Sequence, residues 1–300
     1  MPIARLRRHA GLALRAKVAG DNPSDRASRV WGAVGPRWFT DADPIWRVHA
    51  DAAMFPGGIR SLLLQSLHPL AMQGVEDHSD YRSEPWVRVS NTSFFLAQTT
   101  FGTIENAEKV IAAVRAIHER VTGVAADGRE YRASDPHLLL WVHIAEIESF
   151  LTSYQTFSPT PLTPAEADTY VAQTAHVARE LGVVDPPLTV SELHAVIDAY
   201  RPELEVTDAA RRAAHFLLDE PPVSGIEVLG YRALASAAIR TLQPWAREML
   251  GLRTAPAPDR VALAVLGRPT VSAVRWLLSD PNVALDRVVG HSGEAQVNPR

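Results

Sequence analysis

The residues with the most chemical potential start with one histidine on an apolar stripe. In NAEKVIAAVRAIHERVTG, residues 106–123, Ala107, Val110, Ile111, Val114, Ile117 and Val121 recur three and four apart, the spacing of one helix face. His118 falls four after Val114 and three before Val121, so its ring shares that face. An imidazole turned toward a core needs hydrogen-bond partners or a ligand that uses its lone pair. A second stripe lies upstream in PWVRVSNTSFFLAQTTFG, where Arg88, Asn91, Thr92 and Phe95 fall at i, i+3, i+4 and i+7. A haem held by one histidine would use such a pair: an imidazole on one helix, and polar groups beside an aromatic on a facing one. A hydrogen-bonded core histidine and a surface arginine explain the same spacing, and the pattern alone leaves both readings open.

Other site chemistries find no support. A ferritin-like di-iron centre needs Glu-x-x-His on two helices, and no acidic residue stands three before any histidine. His-Glu-x-x-His, Gly-x-Ser-x-Gly, the P-loop and Gly-x-Gly-x-x-Gly are absent. His143 and Glu146 form a His-x-x-Glu pair on one face, a common polar pair. The chain has 0 Cys, which removes disulfides, iron–sulfur clusters and thiolate or thioether attachment of haem.

The elements that must position these groups read almost entirely as helix. Asp135 caps and Pro136 opens DPHLLLWVHIAEIESFLTSYQTF. Thr163, Pro164 and Glu166 make a capping box for a helix that closes on Gly182. Pro244 splits or kinks the late segment GYRALASAAIRTLQPWAREMLGL. No stretch alternates convincingly beside a hairpin turn, so strands are not expected. The breaks FSPTPLTP, VVDPPLTV, DEPPVSG and TAPAPDR are short, Pro-rich helix connections. With 300 residues, 46% hydrophobic and 21% charged, the chain suits one all-α compact domain, loosely divided near residue 160. A net charge of −4 opposes general nucleic-acid binding and a helix-turn-helix regulator.

The runs GGIRSLLLQSLHPLAMQGVEDHS, RVSNTSFFLAQTTFG, VRAIHERVTG and YRASDPHLLLWVH, in this order and at these gaps, resemble the MpaB and rubber-oxygenase (latex clearing protein) family from about residue 43 to 280. The resemblance implies an all-helical fold with a globin-like core, a non-covalent b-type haem, and oxygenase chemistry on carbon–carbon double bonds of isoprenoid type. By motif position it makes His118 the iron ligand and Arg88 and Thr92 the distal polar residues. Rubber oxygenases carry Arg-x-x-Lys-Thr there, with a lysine able to coordinate iron in a closed state. Asn91 stands in its place, and an amide is a poor iron ligand but a good hydrogen-bond donor to bound water or dioxygen. The distal position is therefore expected open or water-filled, and a rubber substrate is not assured. His143, His68, Arg60 and Phe95 lie in the matching motifs as further candidate cofactor contacts, and Phe94, Leu96 and Met72 as channel lining. His9, His49, His137, His176, His194, His215 and His291 are expected to be structural or exposed, and His78 a loop residue.

The expected organisation is a basic N-terminal arm over 1–40, an oxygenase-like domain over 41–285 and a tail over 286–300. Expected partners are an apolar small molecule and O2. Nucleic acid and stable membrane insertion are not expected, although the arm suits weak contact with a membrane surface, and the location is expected to be cytoplasmic. The alternatives are a non-catalytic haem carrier or sensor, and a helical interaction protein without cofactor.

Overall fold

Proline at the first helical position punctuates the computed structural model, which describes residues 2–20 and 22–280. The N-terminal segment forms α1 (Pro2–Ala19) and α2 (Pro23–Trp31). After α3 (Pro44–His49) come α4 (Met54–Gln65), α5 (Pro69–His78), α6 (Pro85–Phe101) and α7 (Ile104–His118). A two-stranded ribbon, β1 (Thr122–Val124) and β2 (Glu130–Arg132), leads to α8 (Pro136–Phe157). Then follow α9 (Pro164–Leu181), α10 (Val190–Tyr200), a 3-10 turn (Arg201–Glu203), α11 (Asp208–Asp219), α12 (Glu227–Thr241) and α13 (Pro244–Met249). The last helix runs as α14 (Pro256–Ala262), a π segment (Leu263–Gly267) and α15 (Arg268–Leu278). The tail expected over 286–300 lies outside the described residues.

The capping signals act as written. Asp135 accepts from the His137 amide, and Thr163 and Glu166 complete a reciprocal box. Gly182 ends α9 in the left-handed region, φ 106°. The central helix α8 is apolar round most of its circumference and buries residues from Leu138 to Phe157. It packs most closely on α4, where Gly57 permits the approach: a Cβ there would meet Phe150 Cδ1 at 3.0 Å and Ser153 Cβ at 3.3 Å.

Two local expectations are corrected. The ribbon was not foreseen, because each strand holds three residues, too few to show alternation. Its turn carries Asp127 and Gly128, the latter at φ 88°. The stripe read through Val121 stops earlier: α7 ends at His118, and Val121 O accepts from Ala133 N to open the ribbon. His118 is thus at a helix end rather than in mid-helix.

Two surface features bear on partners. α1 lies against α6 and α15; Arg7 Nε donates to Trp276 O at 2.9 Å, and Lys17 pairs with Glu227. The continuous helix Pro256–Leu278 has a length and mean hydropathy, 1.3, sufficient to cross a membrane, with 11% of its apolar window buried. Charged residues tie it to the globule: Arg275 grips Asp51 at 2.8 and 2.9 Å, and Asp259 accepts from Arg247 at 2.7 Å. Crossing a bilayer would break these pairs, at a cost the apolar face must exceed.

Candidate functional site

The short link through Gly102 and Thr103 makes α6 and α7 an antiparallel pair, with Thr103 capping α7 through the Asn106 amide. Counting outward from that link, His118 reaches the same end of the pair as Arg88. Helix α9 touches both α7 and α8, and α3 touches α6, α8 and α9. Among the described residues α8 has no comparable packing against α6 or α7. The α6–α7 pair is therefore joined to α8 through α3 and α9 rather than by direct packing.

Five ionisable side chains from these helices share one unusual property. His49, Arg88, His118, His143 and Glu146 are all half-buried, yet burial shifts each toward its neutral form. His49 and His143 are pushed down to about 3, and Glu146 is pushed up to about 7. Arg88 and His118 move down for the same reason. Accessible surface combined with lost hydration is the behaviour of a side chain that faces an internal recess rather than bulk water.

Around that recess the hydrogen bonding is incomplete. His118 Nδ1 and His143 Nε2 are buried without a partner. His118 Nδ1 thus makes no hydrogen bond to a carbonyl or carboxylate. Arg88 donates to Ser79 Oγ at 2.7 Å, and none of the ion pairs among the described residues includes it. Thr92 is exposed and Phe95 half-buried on the same stripe. Asn91 sits on the flank, exposed, with Oδ1 accepting from Arg26 of α2 at 3.1 Å.

Deeper in, His49 Nδ1 lies 2.7 Å from Thr100 Oγ1, and its Nε2 lies 3.3 Å from the Tyr170 hydroxyl. Glu146 acts electrostatically on Tyr170, whose hydroxyl burial already raises well above its ordinary value. Leu139, His143, Glu146 and Phe150 follow one stripe of α8, and Phe150 meets His49 edge-on at 5.7 Å. His49 was expected to be structural or exposed, and Glu146 to be half of a common polar pair. The His-x-x-Glu spacing was the available signal for Glu146; nothing local marked His49.

Other candidates lie apart. Arg60 is fully buried, and its guanidinium is taken up by Glu148, Ser149 Oγ at 2.7 Å and Thr241 O at 3.1 Å. It is a core strut between α4, α8 and α12, not a cofactor contact. His68 is buried beside His137, Trp141, Tyr200 and Glu203. Of the expected channel lining, Met72 packs in a satellite cluster with Tyr81 and Phe216, Phe94 lies under Arg26, and Leu96 joins the main core.

An all-α domain that gathers desolvated imidazoles, a carboxyl and an unpaired guanidinium round one recess is laid out as a helical ligand-binding or redox domain. Residues 46–276 match the family described as ER-bound oxygenase mpaB/B'/rubber oxygenase, catalytic domain, and the chain belongs to that family. An oxygenase catalytic domain implies O2 and a small-molecule substrate. No functionally curated protein and no solved structure matches the chain.

Proposed function

We propose that the chain is a b-type haem-dependent oxygenase that uses O2 on an apolar small molecule, of isoprenoid or other alkene type. One observation carries the reading: two histidines, His118 and His143, border the recess with buried ring nitrogens that lack partners. Residues of this kind fit a porphyrin iron, which takes a neutral imidazole. Haem, when bound, supplies dioxygen binding and activation.

The chain's own groups divide the remaining work. Desolvation keeps His118 neutral at neutral pH, so its lone pair is free to hold iron. Arg88 is a desolvated cation with a single hydroxyl contact, suited to hold a polar or anionic oxygen group at the distal side of the recess. Thr92 offers a hydroxyl one turn further along α6. Asn91 is turned toward Arg26, so this chain has no distal side chain in the role of the rubber-oxygenase lysine. Glu146, poised to titrate near neutrality, can hold or release a proton at the recess wall. Phe95, Leu139 and Phe150, on the same stripes as these groups, offer apolar side chains to an apolar substrate.

Absorption spectroscopy tests the reading. Purified or haemin-reconstituted protein should show a Soret band, and His118→Ala should abolish or strongly weaken haem retention. An unchanged spectrum in His118→Ala, with loss in His143→Ala instead, would move the ligand to α8. Protein that stays colourless after haemin is added would reject haem altogether. Arg88→Ala should keep haem and lose turnover on an alkene; full activity would remove Arg88 from the mechanism.

A further inference from the structure

A second cluster lies at the corner between α4 and α5. His68, the residue preceding α5, has 2% of its surface exposed, and its Nε2 has no hydrogen-bond partner. His137 sits in the first turn of α8 and Glu203 in the 3-10 turn after α10. Glu205 N donates to Leu67 O at 2.8 Å, which latches that turn to the His68 corner. Glu203 Oε2 is 2.8 Å from His137 Nε2 and 3.8 Å from His68 Nε2, and the three donor atoms all lie within 4.8 Å of one another. Donors around a tetrahedral zinc stand roughly 3.3 Å apart, given bonds of about 2.0–2.1 Å. Small side-chain shifts bring these atoms to that spacing.

The convergence of these three donor atoms, with His68 Nε2 buried and unpartnered, suits a cation among them. The Tyr200 hydroxyl donates to His137 O at 2.8 Å and also lies 3.1 Å from His137 Nδ1. The hydroxyl has a single proton to share between them, and Nδ1 accepts from it or donates to it according to the tautomer. His137 Nε2 faces the Glu203 carboxylate at 2.8 Å, a position that a proton or a metal can fill. His68 Nδ1 accepts from the Ala71 amide at 3.4 Å as the cap of α5, and its Nε2 has no partner; a metal on Nε2 would move the ring proton to Nδ1 and give up that long contact. A plain His137–Glu203 ion pair would account for those two residues but leave His68 Nε2 unpartnered.

We propose that His68, His137 and Glu203 form a site for a divalent transition metal of the zinc class, separate from the recess around His118. Two imidazoles and a carboxylate match that class of metal. Side-chain exposures of 50% at His137 and 45% at Glu203 leave an open side for water as a fourth ligand. Tyr200 orients His137 as an outer partner, and its ring stacks on the imidazole with centroids 4.5 Å apart. The metal would clip the α4–α5 corner, the start of α8 and the turn after α10 together. His68 thereby leaves the list of haem contacts.

Calorimetric titration of the chelator-treated full chain with Zn2+ tests the site without reference to haem or turnover. One equivalent should bind, and Co2+ should give the visible bands of a low-coordinate site. Tyr200→Phe should weaken binding roughly 10–100-fold, and His137→Ala or Glu203→Gln by more than that, with unchanged circular dichroism. The exposed His215, which pairs with Asp219 and Glu220, is the control; His215→Ala should leave binding intact. Absence of stoichiometric binding, equal binding by His137→Ala, or loss of binding in His215→Ala would each overturn the proposal.

Discussion

Replacing Glu146 by glutamine should make the domain more stable at pH 8 and leave it nearly unchanged at pH 4. Burial raises this carboxyl from an ordinary value of 4.5 to about 7. The folded state thus binds its proton more tightly than the unfolded chain does. Stability from the neutral acid is fully present below about pH 4.5 and is lost as pH rises through about 7. A shift of that size corresponds to roughly 3 kcal/mol at about 1.36 kcal/mol per tenfold change in proton affinity, an upper bound because the side chain keeps some accessible surface. Glutamine has nearly the same shape and no charge to bury. Thermal unfolding of haem-free wild type and Glu146→Gln, compared from pH 4 to pH 8, reads the difference directly. At about 2–4 °C per kcal/mol for a large domain, the variant should gain several degrees across that window. His49 and His143 complicate either curve alone: both are held neutral in the fold, so their contribution is present above pH 6.5 and lost as pH falls toward about 3. They are common to both proteins and cancel in the difference. Parallel curves, or a wild type that gains on the variant as pH rises, would refute the assignment of Glu146 to a desolvated recess.

Two further substitutions probe the frame around the site. Arg60→Ala leaves the Glu148 carboxylate buried and unpaired, and should cost about 3–5 kcal/mol in denaturant titration. Arg60→Met with Glu148→Leu should recover most of that loss; recovery absent from the double variant would mean that the pair's geometry, not its charge, matters. Gly57→Ala should lower the thermal midpoint, since its methyl would meet Phe150 at 3.0 Å, with overpacking costing about 1–3 kcal/mol. Gly58→Ala, one position on, meets nothing within 4 Å and should raise the midpoint through a helix preference of about 0.5–1 kcal/mol. Equal effects from the two glycines would contradict the close α4–α8 approach.

What was legible in the sequence was local. The Thr163–Glu166 box, the Gly182 terminus, the Asp135 cap and the break at Pro244 each depend on residues within a turn of one another, and each stands where its chemistry puts it. The stripes of α6 and α7 were visible for the same reason: period and composition fix a helix face. They do not say what lies across from it. Arg60 looked like a cofactor contact because its partner Glu148 is 88 positions away, and His68 because Glu203 and His137 come from two other elements. Asn91 was read as a distal group because its motif position is shared, while the Arg26 that turns it aside lies 65 positions upstream.

The same limit explains why the recess itself was hidden. Its signature is a disagreement between two physical properties of one side chain, accessible surface and lost hydration, and neither is encoded in residue type. A glutamate three after a histidine on a helix is ordinarily a solvated pair, as His215 and Asp219, four apart on α11, in fact are. His143 and Glu146 differ from that pair only in where α8 runs: through the middle of the domain, with α9 and α3 holding α6 and α7 off its flank. Placed there, an acid becomes neutral and a base loses its proton without either touching the other. A helical domain can thus gather desolvated ionisable groups from residues that on a surface helix would be ordinary solubilising charges.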